Sequence, residues 1–132
     1  MEPAILQLVL AAALLLVHVA AIVVATRASV EREWAVGPRD EPTNVGRMLG
    51  RFRRILANYL ETLPAFALVL LAAELSGRGN DWTLFGGWLW LVGRVVYLPV
   101  YAAGIPWVRT IVWIVATLGI VVMLAGLALG PG

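Results

Sequence analysis

Four long apolar stretches constrain this chain more than any other feature of its sequence. Apolar residues dominate the ranges 3–26, 55–75, 82–103 and 107–129. Each range is close to the ~20 residues that an α-helix needs to cross ~30 Å of hydrocarbon. None of them alternates with the period of two that is typical of a membrane β-barrel. The pattern therefore predicts an all-α fold, an integral membrane four-helix bundle that forms a single domain.

The composition supports a membrane environment. Of the 132 residues, 61% are hydrophobic and 14% are charged, whereas soluble domains average about 45–50% apolar and about 25% charged residues. Membrane lipid is therefore an expected partner. A signal peptide is the rival interpretation of residues 3–26, but it would need basic residues before a shorter apolar core. The first basic residue is Arg27, so we expect an uncleaved span.

The charged and sulfur-containing residues exclude several classes of function. All ten basic residues are arginines, most lie in one segment, and the net charge is only +2, which is not typical of a nucleic-acid-binding protein. There is no cysteine, so any thiol chemistry needs a thiol supplied by a ligand. His18 is the only histidine, and without a second histidine or a cysteine it is predicted to be a packing residue, not a metal ligand.

The arginines predict the orientation in the membrane. Most of them lie in the segment 27–54 between the first two spans: Arg27, Arg32, Arg39, Arg47, Arg51, Arg53 and Arg54. Arg109 follows the turn after the third span, and only Arg78 lies on the other side. The positive-inside rule then places 27–54 in the cytoplasm and both termini outside it. The last part of this segment, from Thr43, is predicted to start the second helix before it enters the membrane.

Polar residues inside the spans form two helical faces. The second helix carries Arg51, Arg54, Asn58 and Glu61 at steps of three, four and three. The third carries Arg94, Tyr97 and Tyr101 at steps of three and four, and the fourth begins with Arg109 and Thr110. Residues at these steps share one side of a helix. Charges inside a bilayer usually face the protein interior, so we expect both faces to point inward.

Short turns make the last three helices antiparallel neighbours, so these faces are predicted to meet in the cytoplasmic half of the bundle. Four arginines there stand against one acid, Glu61, and such a surplus favours an anionic ligand. A purely structural alternative remains open. In that alternative Glu61 pairs with Arg54 or Arg94, Asn58 ties two helices together, and no ligand binds.

The stretch Arg-Phe-Arg-Arg-Ile-Leu-Ala-Asn-Tyr-Leu-Glu at 51–61 resembles the Glu-Arg-x-x-x-Arg/Asn-x-x-Glu signature of the MAPEG family. These are membrane-associated proteins of eicosanoid and glutathione metabolism. Similar features follow in the same order: Leu-Pro-Ala-Phe at 63–66, Val-Gly-Arg-Val-Val-Tyr at 92–97 with Tyr101 beyond it, and Arg109-Thr110. The likeness covers nearly the whole chain, and the short loops resemble those of the bacterial branch.

The resemblance implies a homotrimer in a bacterial inner (plasma) membrane, with glutathione as thiol co-substrate bound between adjacent subunits. It implies a glutathione site formed by Arg27, Arg51, Arg54, Asn58, Glu61, Arg94, Tyr97 and Tyr101. Arg109 is placed like the arginine that activates the thiol. Thr110 stands where some members have a serine near the sulfur.

Three hypotheses for function follow. The resemblance implies a glutathione-dependent transferase or peroxidase that acts on lipophilic small molecules, either electrophiles or lipid hydroperoxides. Two departures, Ala57 where several members have arginine and Trp113 where some have tyrosine, favour a non-catalytic membrane binding or scaffold protein of the same fold. The third hypothesis is a small multidrug transporter. Those proteins use an acidic residue in their first helix, and none lies between Glu2 and Arg27.

Overall fold

The described part of the chain folds into four helices, and consecutive helices run in opposite directions. The computed structural model describes residues 1–36 and 44–130, and the side chains of residues 1–28 and 46–130. The helices are α1 (Pro3–Val36), α2 (Asn44–Leu75), α3 (Asp81–Ala102) and α4 (Pro106–Leu129). Each contains a segment long and apolar enough to cross a membrane. The prediction of an all-α, four-helix membrane fold is confirmed.

Helices α1 and α2 extend beyond their predicted spans, into the polar segment 27–54. They contain 34 and 32 residues, which at 1.5 Å per residue gives lengths of about 51 and 48 Å. Both therefore exceed the ~30 Å of hydrocarbon. Residues 37–43 of this segment, including the predicted helix start at Thr43, lie outside the described residues. We call the end of the bundle where α1 and α3 end and α2 and α4 begin the arginine end.

Helices α3 and α4 have the most extensive contact of the helix pairs in the described part of the chain, and glycine allows their backbones to approach. Gly86 of α3 faces Gly119 of α4, and both are buried. A Cβ atom added to Gly119 would lie 2.6 Å from the carbonyl oxygen of Gly86 and 2.8 Å from the backbone nitrogen of Trp90. Small residues serve this purpose in membranes, where packing contacts drive the association of helices.

The core between α1, α2 and α3 contains four stacked rings, which we call the aromatic column. Its members, in order, are His18 of α1, Tyr59 of α2, Trp90 of α3 and Phe66 of α2. Successive ring centroids lie 4.5, 5.4 and 4.2 Å apart. Two of the rings also hydrogen-bond: the Tyr59 hydroxyl donates to the Ala11 carbonyl (2.6 Å), and Trp90 Nε1 donates to Thr62 Oγ1 (3.1 Å). The column thus joins three helices.

At the opposite end of the bundle, one side chain fixes the start of α3. Asn80 Oδ1 accepts hydrogen bonds from the backbone nitrogens of Trp82 (2.9 Å) and Thr83 (3.2 Å), as an N-cap residue does. Its Nδ2 donates to the carbonyl oxygen of Gly126 near the end of α4 (2.9 Å). Asn80 therefore caps one helix and fastens it to the next.

We predict that Gly119→Ala destabilises the bundle by about 1–3 kcal/mol, because the added methyl group forces two backbones apart. The measurement is thermal unfolding in detergent, followed by circular dichroism. Val115→Ile adds one carbon to the exposed side of the same helix and is the matched control. Equal unfolding temperatures for the two variants would contradict a tight contact between α3 and α4.

Candidate functional site

Three helices bring arginine and tyrosine side chains together at the arginine end. Helix α2 begins there, and its Arg51 and Arg54 are three residues apart and so share a face. Helix α3 runs antiparallel to α2 and ends there, so its last turns bring Tyr101 opposite these arginines. Helix α4 begins after a short turn, which places Arg109 beside the same tyrosine. The sequence pattern and the antiparallel topology together produce this cluster.

The outer layer of the cluster is organised around Tyr101. Arg54 Nε donates a hydrogen bond to the Tyr101 hydroxyl (2.9 Å), and Arg51 Nη1 donates to the Ala102 carbonyl oxygen (2.8 Å). The guanidinium carbon of Arg109 lies 4.8 Å from the centroid of the Tyr101 ring, within cation–π range. Tyr101 is therefore contacted by guanidinium groups from two helices, and all of these groups are donors or cations.

The inner layer is organised around Arg94, which is only 1% exposed. Its Nη1 donates to Asn58 Oδ1 (2.7 Å). Its guanidinium carbon lies 4.3 Å from the Tyr97 ring centroid and 5.6 Å from that of Tyr59. Arg94 Nε and Nη2 are buried and have no hydrogen-bond partner among the described residues. A buried charge with unused donors costs free energy unless an acceptor reaches it.

The two layers are connected. The rings of Tyr97 and Tyr101 have centroids 5.6 Å apart on consecutive turns of α3, so Arg94 lies one step deeper than Arg54 and Arg109. Among the described residues, the side chains that form these two layers are cations, phenols and one amide, and none of them is a carboxylate. An anion that entered from the arginine end would meet guanidinium groups at two depths.

Glu61 lies beside this cluster without forming an ion pair in it: its carboxylate is within electrostatic range of Arg94 and Tyr97. It is exposed on the outer surface of the bundle, and it makes no ion pair with Arg54 or Arg94 among the described residues. The pairing on which the structural alternative depends is therefore not formed within the described part of a single chain. The carboxylate instead lies on a helix face that other molecules can approach.

The remaining predicted site residues are not joined to the cluster. The Thr110 hydroxyl donates to the Pro106 carbonyl of its own helix (3.1 Å) and is exposed. Arg27 is exposed on α1 and makes no hydrogen bond or ion pair within the described residues. Trp113, one turn beyond Arg109, has a buried Nε1 without a partner in the part of the chain that the structure describes.

Sequence reasoning missed Tyr59. It adjoins Asn58 in the chain and lies within the motif at 51–61, and its buried ring contacts both Arg94 and the other rings of the aromatic column. The signal that could have found it is its spacing. Ile55, Tyr59, Phe66 and Leu70 are the fully buried residues of α2 in this stretch and follow the period of a buried helical stripe.

The fold and this cluster define a class: an integral membrane protein with four spanning helices and a cationic cluster at one end. The sequence profile described as the MAPEG family matches residues 5–129, nearly the whole chain. The chain therefore belongs to the MAPEG family, a membrane family generally associated with glutathione-dependent transferase and peroxidase chemistry. No curated protein and no solved structure matches the chain at a significant level. The predicted family membership is confirmed.

We predict that Asn58→Leu destabilises the protein by about 1.5–3 kcal/mol, because it removes the acceptor of a charged hydrogen bond from a buried guanidinium. Thr62→Val is the matched control on the same helix: it removes the acceptor from the neutral Trp90 donor, at about 0.5–1.5 kcal/mol. The measurement is unfolding in detergent. A smaller effect for Asn58→Leu than for Thr62→Val would show that Asn58 is not what holds Arg94.

Proposed function

We propose that this protein is a membrane-bound glutathione-dependent transferase or peroxidase that acts on lipophilic electrophiles or lipid hydroperoxides. The observation that carries the proposal is Arg94, a buried cation with two unused donors, beneath a second layer formed by Arg51, Arg54 and Arg109. Glutathione has two carboxylates, an ammonium group and a thiol. Arginine forks are suited to carboxylates, and family membership supports glutathione as the ligand.

In this proposal the polar groups of the cluster divide into sets with different roles. Arg51, Arg54 and Arg94 hold the carboxylates, while Asn58, Tyr97 and Tyr101 position the guanidinium groups or donate hydrogen bonds. Glu61 accepts the ammonium group, since a carboxylate is the acceptor that a cation prefers. Arg27 closes the site from α1. These assignments use polar contacts only and need no metal.

Glu61 also supports the proposed homotrimer. It is exposed on α2 within a span, where a charged group in contact with lipid would be costly. A second copy that covers this face would remove Glu61 from lipid and bring it next to a neighbouring arginine cluster. Glutathione would then bind between subunits, with Glu61 on one wall.

Arg109 is proposed to activate the sulfur. A free thiol has a pKa near 8.5 and is mostly protonated at neutral pH, and a nearby cation favours the thiolate, which is the nucleophile. Arg109 lies at the start of α4, where it borders both the cluster and the lipid. Thr110 is exposed next to it and is proposed to donate a hydrogen bond to the sulfur in place of its present bond to Pro106.

Two reactions fit this arrangement. In conjugation, the thiolate sulfur forms a bond to an electrophilic carbon, and the leaving group departs with the bonding electrons. In peroxide reduction, the thiolate attacks the terminal oxygen of the hydroperoxide, the O–O bond breaks, and the alkoxide takes a proton to give an alcohol. A second glutathione then reduces the resulting sulfenic acid, which yields the disulfide and water. Positioning and thiolate formation supply the acceleration.

The membrane orientation is part of the proposal. The arginine end is assigned to the cytoplasm of a bacterial inner membrane by the positive-inside rule, with both termini on the other side. Glutathione would reach the cluster from the cytoplasm, and the lipophilic substrate would reach it laterally from the bilayer.

We predict that Arg109→Ala abolishes most of the ultraviolet thiolate absorbance of bound glutathione and lowers turnover of a model electrophile by about 100-fold, the scale of one electrostatic contact in a transition state. Ultraviolet difference spectra of detergent-purified protein give the first quantity. Arg53→Ala, an exposed arginine of α2 outside the cluster, is the control. An undiminished thiolate band in Arg109→Ala would remove Arg109 from this role.

The second candidate function is a non-catalytic membrane binding or scaffold protein. It is favoured by Ala57, which is exposed beside Asn58 and supplies no cation where several members of the family have arginine. It is also favoured by Trp113, which has no phenol hydroxyl where some members have tyrosine. Calorimetric titration of the purified protein with glutathione separates the two candidates. Saturable binding at millimolar or lower concentration supports the enzyme, and its absence favours the binding protein. Proton-coupled dye efflux from vesicles would instead favour the transporter.

A further inference from the structure

We infer that Tyr59 is a positioning residue for Arg94. The Tyr59 ring stabilises the buried guanidinium without occupying any of the hydrogen-bond donors of Arg94, and so leaves Arg94 Nε and Nη2 available to an anionic ligand. The inference deepens the proposed function, because the ligand it concerns is the carboxylate of glutathione. The contact between Tyr59 and Arg94, however, belongs to this chain alone and is measurable without any ligand.

Three side chains contact the Arg94 guanidinium, and the Glu61 carboxylate acts on it electrostatically without forming an ion pair. Asn58 accepts a hydrogen bond from Nη1, Tyr97 presents its ring at 4.3 Å, and Tyr59 presents its ring at 5.6 Å. A carboxylate in any of these places would neutralise the charge, and a carbonyl or amide oxygen would occupy a donor. An aromatic face does neither, since it attracts the cation through the ring quadrupole. Two of the three supports therefore leave the donors of Arg94 unused.

Tyr59 is itself held rigidly. It is fully buried, its hydroxyl donates to the Ala11 carbonyl on α1 (2.6 Å), and its ring stacks between His18 (4.5 Å) and Trp90 (5.4 Å). Because its hydroxyl is already engaged with Ala11, only its ring faces Arg94. An arginine side chain has many rotamers, and a fixed ring beneath it reduces their number. The aromatic column thus links α1 to the position of a guanidinium on α3.

The column offers a matched comparison. Phe66 is also fully buried on α2 and stacks on Trp90 at 4.2 Å, but it is absent from the contacts of Arg94. Tyr59→Leu and Phe66→Leu both remove one buried ring from the same column. Only the first removes a ring from Arg94, so a difference between the two variants reports positioning and not general loosening of the core.

The experiment uses detergent-purified full-length protein and two measurements. The first is the ¹⁵N–¹H resonance of Arg94 Nε without ligand, identified by its loss in Arg94→Lys. The second is the Kd for glutathione by calorimetry. We expect Tyr59→Leu to shift the resonance and to weaken binding about tenfold. Tyr59→Phe keeps the ring and should restore both within about twofold, and Phe66→Leu should leave both unchanged although it lowers the unfolding temperature.

Failure of the inference is separable from failure of the proposed function. If the wild-type protein binds glutathione and Tyr59→Leu changes neither quantity, or changes them no more than Phe66→Leu does, positioning by Tyr59 is overturned while the enzyme proposal stands. If the wild-type protein binds no glutathione, the proposed function fails. The Arg94 resonance alone then decides whether Tyr59 positions Arg94. Should Tyr59→Leu not fold, Tyr59→Met replaces it, because methionine fills an irregular core gap without a ring.

Discussion

A guanidinium group buried inside a membrane bundle is the constraint around which this structure is arranged. Arg94 is 1% exposed, and in the described part of the chain no acid forms an ion pair with it, although the Glu61 carboxylate acts on it electrostatically. An isolated charge in such a place would be strongly destabilising. The bundle reduces the cost with one amide oxygen from Asn58 and two aromatic faces, from Tyr97 and Tyr59. Asn58 and Tyr59 are on α2 and Tyr97 is on α3, so the surroundings of one side chain tie these two helices together.

The position of α3 depends in addition on contacts outside the polar cluster. Glycines such as Gly86 and Gly119 bring α3 and α4 together, which places Arg109 at the edge of the cluster. The aromatic column joins α1 to α2 and α3 from the other side. A bilayer supplies no hydrophobic force that would hold helices together, so close packing and interhelical hydrogen bonds must do so. The polar cluster is therefore positioned by the apolar parts of the same helices.

The sequence predicted some of this arrangement and not the rest, for physical reasons. Hydrophobic length predicts four spans because the bilayer fixes how long a helix must be. The three- and four-residue steps predict that the polar faces of α2 and α3 meet. The structure brings Arg54 to Tyr101 and Asn58 to Arg94, as helical period and antiparallel topology allow. Helical periodicity does not determine the direction in which a side chain at the edge of a face points. For that reason the exposure of Glu61 and the contact of Tyr59 with Arg94 are seen only in the structure.

The exposed Glu61 and the buried Arg94 each lack a partner that a single subunit does not provide. One subunit exposes an acid within a span, where lipid cannot solvate it, and buries a cation two of whose donor nitrogens have no partner in the described part of the chain. Within one subunit the Glu61 carboxylate acts on Arg94 electrostatically without forming an ion pair, and the rings of Tyr59 and Tyr97 already pack against the guanidinium. An adjacent copy that covers Glu61, together with a zwitterionic guest that offers carboxylates to arginine and an ammonium group to glutamate, would satisfy both at once. This complementarity links the proposed assembly to the proposed ligand: each accounts for a charge that the other leaves uncompensated.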